Sequence, residues 1–290
     1  MAPVGKRVLV TGGTGFVGVP VVQRLLARRE FEVTIASRDP ASVQQRLAEG
    51  QYATLGLDIL DPRSWRDLDL SLYAAMLHLA WGELGNFDSN EHIKVHLPAH
   101  CAFLAKAVVD GIASITVTGT CLEYGLRDGC LHEDIPTDPV TQYGLAKDWL
   151  RRSLVALRTE RSFALKWIRL FYLHGPGQRP TSLLAQLDAA IARGDDHFDM
   201  SQGTQLRDYL HVHQAADLIV KIFEHPTCEG IINCASGAPI EVRRLVQDRL
   251  KERGARMELC LGKFSYPKYE PAAFWADNGR LLRIMQESVQ

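Results

Sequence analysis

Short apolar, β-branched runs alternate with helical patterns along the first 170 or so residues. The runs at 7–10, 32–36, 53–57, 74–79, 114–118 and 164–170 read as strands, and apolar positions recur at helical spacing over 19–27, 40–49, 97–110 and 143–157. Strand and helix in alternation predict an α/β protein with a Rossmann-type, doubly wound parallel sheet, because parallel neighbours need a crossover helix. After residue 174 the alternation becomes irregular, with helices expected at 183–193, 214–224 and 240–253. This predicts a smaller C-terminal α/β lobe over the carboxyl edge of the sheet, where ligands bind in open α/β folds. The expected division is 1–173 for the nucleotide-binding domain and 174–290 for the substrate-binding lobe, with residues near 211–236 able to return to the first.

The first strand runs into Thr11-Gly12-Gly13-Thr14-Gly15-Phe16-Val17-Gly18 and then into the first helical pattern. Gly12, Gly15 and Gly18 are three apart, which suits a tight strand-to-helix turn, close approach of backbone to a pyrophosphate, and close helix-on-sheet packing. The helix N-terminus would aim its unpaired N–H groups at phosphate oxygens. A glycine triplet alone is ordinary loop punctuation; the strand before it and the helix and strand after it make it a dinucleotide site.

At the end of the second strand, a site preferring NAD carries Asp or Glu for the adenosine ribose. This chain has Ser37-Arg38 there, a hydroxyl and a guanidinium that can bind a 2′-phosphate, so NADP(H) is expected. Asp39 next door keeps NAD(H) open, and Arg38 read alone is a solvated loop charge. Asp58-Ile59 after the third strand is placed to meet adenine, with turn formation as the other reading of Asp58. Leu79-Ala80-Trp81 closes the fourth strand where the cofactor passes.

Tyr143 and Lys147 are four residues apart, hence on one helix face, and follow Thr120 at the end of the fifth strand. A phenol has a pKa of about 10, and an ammonium at about 4 Å is expected to favour phenolate by about 4 kcal/mol, roughly three pKa units. Tyr143 then becomes a general acid/base, and Thr120 can bond the reacting oxygen.

The composition bears on partners and compartment. The 290 residues are 46% hydrophobic with a net charge of −1, which offers no electrostatic footprint for nucleic acid or an anionic membrane. The six cysteines are scattered without a CxxC pair, no 18-residue apolar stretch occurs, and no signal peptide is evident, so a reducing, cytoplasmic setting is expected. His92, His96 and His100 could be drawn as a helical metal stripe, but Pro98 is expected to interrupt their register, and no metal is expected. Trp275 reads as core in a late helix.

Thr11–Gly18, Asp58-Ile59, His78-Leu79-Ala80, Thr120–Gly125, Tyr143–Lys147, His174–Gln178, Arg207–Leu210 and Asn233–Gly237 stand in the order of a known family. By them the chain resembles the extended short-chain dehydrogenases/reductases, the NAD(P)-dependent nucleotide-sugar epimerase, dehydratase and reductase group. Leu79–Trp81, Thr116–Cys121 and Phe274–Asp277 resemble its dTDP-6-deoxy-L-talose 4-dehydrogenase-like branch. The resemblance implies catalytic roles for Thr120, Tyr143 and Lys147, a diphosphate contact for Arg207, a nucleotide-sugar substrate and a homodimer.

Departures from the family narrow the chemistry. Cys121 and Leu122 stand where 4,6-dehydratases carry Asp and Glu, which disfavours elimination of water. Tyr172 and His96 replace usual asparagines, and Glu123, replacing an apolar residue, reads either as a sugar contact or as a structural cap. The expectation is an NADP(H)-dependent 4-ketoreductase of a nucleotide-linked 4-keto-6-deoxyhexose. A nucleotide-sugar 4-epimerase and a non-catalytic NADP sensor are the alternatives.

Overall fold

A computed structural model describes residues 5–47 and 50–287. Its strands are β1 (Lys6–Thr11), β2 (Phe31–Ser37), β3 (Tyr52–Gly56), β4 (Ala75–His78), β5 (Ser114–Thr120), β6 (Gly129–Leu131), β7 (Ala164–Leu170), β8 (Tyr172–His174), β9 (His197–Asp199), β10 (Leu206–His211), β11 (Gly230–Cys234), β12 (Pro239–Glu241), β13 (Glu258–Cys260) and β14 (Phe274–Ala276). Its helices are α1 (Gly18–Leu26), α2 (Pro40–Arg46), α3 (Leu97–Val109), α4 (Gln142–Leu157), α5 (Leu183–Arg193), α6 (Val212–Glu224), α7 (Val242–Glu252) and α8 (Gly279–Glu287).

Seven strands form one parallel sheet in the order β11-β7-β5-β4-β1-β2-β3. The order reverses direction between β1 and β4, so a crevice opens beyond the carboxyl ends of those two strands. Side chains alternate across the sheet: Val8 and Val10 join the layer under α1 and α6, and Leu9 joins the layer under α3 and α4. Both faces are covered, which is why the central strands are apolar runs. The predicted Rossmann-type fold is present.

The later segments divide between two places. Helix α6 packs beside α1, and β11 pairs with β7 at the sheet edge. Strands β8, β10 and β12 form a small separate sheet, while α5 and α7 share a core of Leu184, Leu187, Val242, Val246 and Leu250. Apart from shifts of one or two residues at element ends, three readings differ from the sequence pattern. The predicted second helix ends at Arg46 where it is described, its last two residues lying outside the described residues. The predicted start of the last long helix is strand instead, because Ile240 pairs with Arg207 on β10. Trp275 lies on β14, not in a helix, and the strand's alternation buries Phe274 and Ala276 in its place.

Lys166 on β7 holds α6 to the sheet by donating to the carbonyls of Ile222 (2.9 Å), Phe223 (2.8 Å) and His225 (2.6 Å) at that helix's carboxyl end. Lys166→Met keeps the aliphatic stem and strands these carbonyls. It is expected to cost roughly 3 kcal/mol of unfolding free energy in urea titration.

Candidate active site

The glycine turn is a cradle that side chains would fill. Gly12 has φ of 72°, and a Cβ there would come within 2.6 Å of the Ala80 nitrogen. A Cβ at Gly18 would overlap the Gly12 carbonyl, so α1 starts hard against the turn, with Gly15 N–H donating to Gly12 O at 3.1 Å. A Cβ at Gly15 would meet only that carbonyl, and Gly15 is exposed. The loop therefore shows bare backbone at the N-terminus of α1 beside half-buried Phe16 and Val17, the shape a pyrophosphate needs. Leu79 and Ala80 face it across the crevice, with Leu79 N–H donating to Thr11 O at 3.0 Å.

At the far end of β2, the Ser37 hydroxyl turns into its own loop, donating to Asp39 O at 3.0 Å. Asp39 caps α2, its carboxylate accepting from Ala41 N at 3.1 Å. Arg38 is exposed, and Arg46 reaches back from α2 to donate to Thr14 O at 3.0 Å. Asp58 uses one carboxylate oxygen to accept from Leu60 N at 3.0 Å, and Ile59 is buried, its carbonyl accepting the Trp65 N–H at 3.1 Å.

The catalytic candidates converge beyond β5. Thr120 ends that strand and caps the following short turn, Leu122 N–H donating to its hydroxyl at 3.3 Å. Helix α4 is capped by Thr141, which accepts from Gly144 N at 3.0 Å. A Cβ at Gly144 would press to 2.7 Å from the Leu122 carbonyl, so glycine lets α4 close against that turn and brings Tyr143 to Thr120. Tyr143 donates its N–H to Phe87 O at 2.9 Å, and its ring stacks on Phe87 with centroids 5.3 Å apart.

The electrostatics correct one expectation. Burial, with the charge of Glu123, pushes the Tyr143 phenol above its ordinary value, while the Thr120 hydroxyl and the charge of Arg179 pull the other way. The expected depression by Lys147 is absent. Although one turn apart, the two side chains diverge: Lys147 crosses to β5, donating to Thr118 O at 2.8 Å, with its ammonium 4.2 Å from the Trp81 ring centroid. Burial pulls Lys147 down to about 7.

The three histidines are in register after all. His92–His96 forms a π-helical turn leading directly into α3, and this widened turn accommodates Pro98, which has no N–H to give. His92, His96 and His100 then stand in a row, with adjacent ring centroids 6.1 and 6.0 Å apart, along Trp81. His100 continues to His78 at 2.8 Å and on to Thr11 at 2.9 Å. Burial holds these rings neutral, His78 being pulled down to about 3 and His100 well below its usual value.

Glu123 is not available to a sugar. Fully buried, its carboxylate accepts from Thr120 N (2.9 Å), Trp167 Nε1 (2.9 Å) and Arg169 Nε (2.8 Å). Its side chain points under the strand end because only there does it find a charge partner. Arg207 is also enclosed, 1% exposed, donating to Glu270 (3.0 Å) and to the carbonyls of Leu206, Pro271 and Ala272. Tyr172 donates to the other Glu270 oxygen at 2.5 Å. The carboxylate of Glu270 thus stands where a diphosphate was expected.

A family model described as the NAD dependent epimerase/dehydratase family matches residues 8–235. The chain belongs to that family. A dTDP-6-deoxy-L-talose 4-dehydrogenase (NAD(+)) of Aggregatibacter actinomycetemcomitans is 28% identical, over 93% of this chain and 98% of its own length. A dTDP-6-deoxy-L-talose 4-dehydrogenase (NAD(P)(+)) of Kitasatospora kifunensis is 27% identical, over 87% and 81%. The solved UDP-N-acetylglucosamine 4-epimerase of Methanobrevibacter ruminantium shares the fold, with a TM-score of 0.83 and 20% identity, covering 97% of this chain and 92% of its own.

Against this epimerase/dehydratase framework, the sequence pattern missed Phe87, Arg46, Arg179 and Glu270, which act from loops or a neighbouring helix and carry no motif. Arg169 left a trace: with Lys166 it is one of two cations in the otherwise apolar strand Ala164–Leu170, a sign that each finds a buried partner. Glu123→Gln leaves Arg169 without its counter-charge. It is expected to cost about 3–5 kcal/mol of stability in denaturant titration. A sugar contact would instead raise the substrate KM with stability unchanged.

Proposed function

We propose that this protein is an NADP(H)-dependent reductase of a nucleotide-linked 4-keto-6-deoxyhexose. The observation that carries the reading is the closure of α4 on the turn at the carboxyl end of β5, where a Cβ at Gly144 would press on the Leu122 carbonyl; it sets Tyr143 by Thr120 beside the sheet's crevice, with Lys147 one helical turn on. A reduced dinucleotide, held by its pyrophosphate on the glycine turn, would supply a hydride for sugar C4. Thr120 holds the carbonyl oxygen, and Tyr143 gives its proton to the oxygen as negative charge develops there. A buried phenol whose pKa is raised keeps that proton at neutral pH, which suits a donor; an alkoxide is basic enough to take it. Lys147 is placed to hold the cofactor ribose. Loss of water from the sugar has no acid/base pair here, because Leu122 is apolar and burial pushes the Cys121 thiol up to about 12.

Arg207 and Tyr172 serve as the diphosphate contact once the ligand displaces Glu270. The names of the two dehydrogenase relatives support the substrate class. NADP(H) preference is supported by Asp39, whose carboxylate is engaged in capping α2, by Arg38 just beyond β2, and by Arg46, whose guanidinium reaches the glycine turn at Thr14 O.

Three measurements test the reading. Incubation of nucleotide 4-keto-6-deoxysugars with NADPH is expected to consume the cofactor and give one C4 configuration by NMR; conversion without net consumption would mark a 4-epimerase. Tyr143→Phe is expected to lower kcat by about 10²–10⁴-fold with NADPH affinity retained in calorimetry. Arg38→Ala and Arg46→Ala are each expected to weaken NADPH about tenfold and to leave NADH unchanged, the loss of one charge-assisted hydrogen bond to phosphate.

A further inference from the structure

Lys147 is a buried cation that no carboxylate touches among the described residues. Its hydrogen bond runs to a neutral carbonyl, Thr118 O, and Glu123, whose charge acts on it from farther off, is committed to Arg169, Trp167 and the Thr120 N–H. The other titratable groups facing it are His78, His92, His96 and His100, whose pKa values are all lowered by burial, and Tyr143 on its own helix, a phenol holding its proton. None of these offers a negative charge in contact. An ammonium taken out of water this way loses its proton unless something replaces its hydration.

The remaining contact is the face of Trp81, 4.2 Å from the ammonium to the ring centroid. Indole is the strongest aromatic partner for a cation. The ring is also held in place. Its N–H donates to His92 Nδ1 at 3.1 Å, and because indole nitrogen only donates, His92 must carry its own proton on Nε2, which donates to Asn86 O at 2.9 Å. His100 packs on the indole at 4.5 Å, and Tyr143 meets it edge-on at 6.2 Å.

We propose that Trp81 is a positioning residue for Lys147: its face holds the ammonium charged and in place against the Thr118 carbonyl, and the His92–Asn86 lock holds the indole there. The inference rests on the catalytic reading of Lys147 only for its consequence in turnover. Trp81 favours the charged form, so removing it lowers the pH at which Lys147 loses its proton.

The test is a pH titration of the cofactor-free full chain labelled with ¹³C at lysine Cε. The chain has 9 lysines, and Lys147→Arg identifies the signal of Lys147. Trp81→Leu is expected to lower the Lys147 midpoint by about one pH unit, with smaller shifts for Trp81→Phe, which keeps a weaker ring, and His92→Leu, which frees the indole. Buried Lys166, which reaches α6 on the opposite face of the sheet from α4, is expected to keep its midpoint. A Lys147 shift under about 0.2 unit in Trp81→Leu, or equal shifts of Lys147 and Lys166, would overturn the proposal. If Trp81→Leu fails to fold, the same criteria apply to the other two variants. The pH profile of kcat separates the two readings. An alkaline limb moving with the Lys147 midpoint supports both, and a midpoint that moves without the limb supports the Trp81 contact and overturns the catalytic reading of Lys147.

Discussion

The carboxylate of Glu123 is the interaction on which the site depends. It sits in the interior just beyond β5 and ties three pieces together: the N–H of Thr120, the indole of Trp167 and the guanidinium of Arg169 on β7. An ion pair at this depth gains little net stability over an apolar substitute, but loss of either member leaves a bare charge. Its value lies in geometry. The turn carrying Thr120 is locked to the sheet from below, and α4 closes on the same turn through Gly144.

Above this anchor the site is built from neutral groups. Phe87, Trp81 and the histidine row wall the Tyr143–Lys147 face with rings, and burial keeps the histidines uncharged. In such surroundings a phenol keeps its proton and an ammonium is poised to lose one. The pair is therefore set by its walls more than by mutual attraction.

The small lobe closes over the opposite side. Glu270 bridges Arg207 and Tyr172, and its neighbour Tyr269 stands edge-on to Phe87 with centroids 5.9 Å apart. The anion site and the aromatic wall thus share one short segment. In the proposed function, a nucleotide diphosphate at Arg207 would meet a resident carboxylate of like charge, one residue from Tyr269 against the stacking partner of Tyr143.

Local pattern by itself determined the order of the main sheet's strands and helices through β7, the glycine turn, and the chain positions of Thr120, Tyr143 and Lys147. Those features are set by period, by the absence of a Cβ, and by helical spacing, all of which are properties of adjacent residues. Tertiary structure decided what the same residues face. Spacing could not say that Lys147 turns to Thr118 and Trp81, that Glu123 turns inward to Arg169, that a π-turn carries Pro98 and aligns the histidines, or that Glu270 comes back to Arg207. Each of these is a choice of partner between segments distant in sequence, made by burial: a charged or polar side chain leaving water takes whichever partner the packed interior brings within reach.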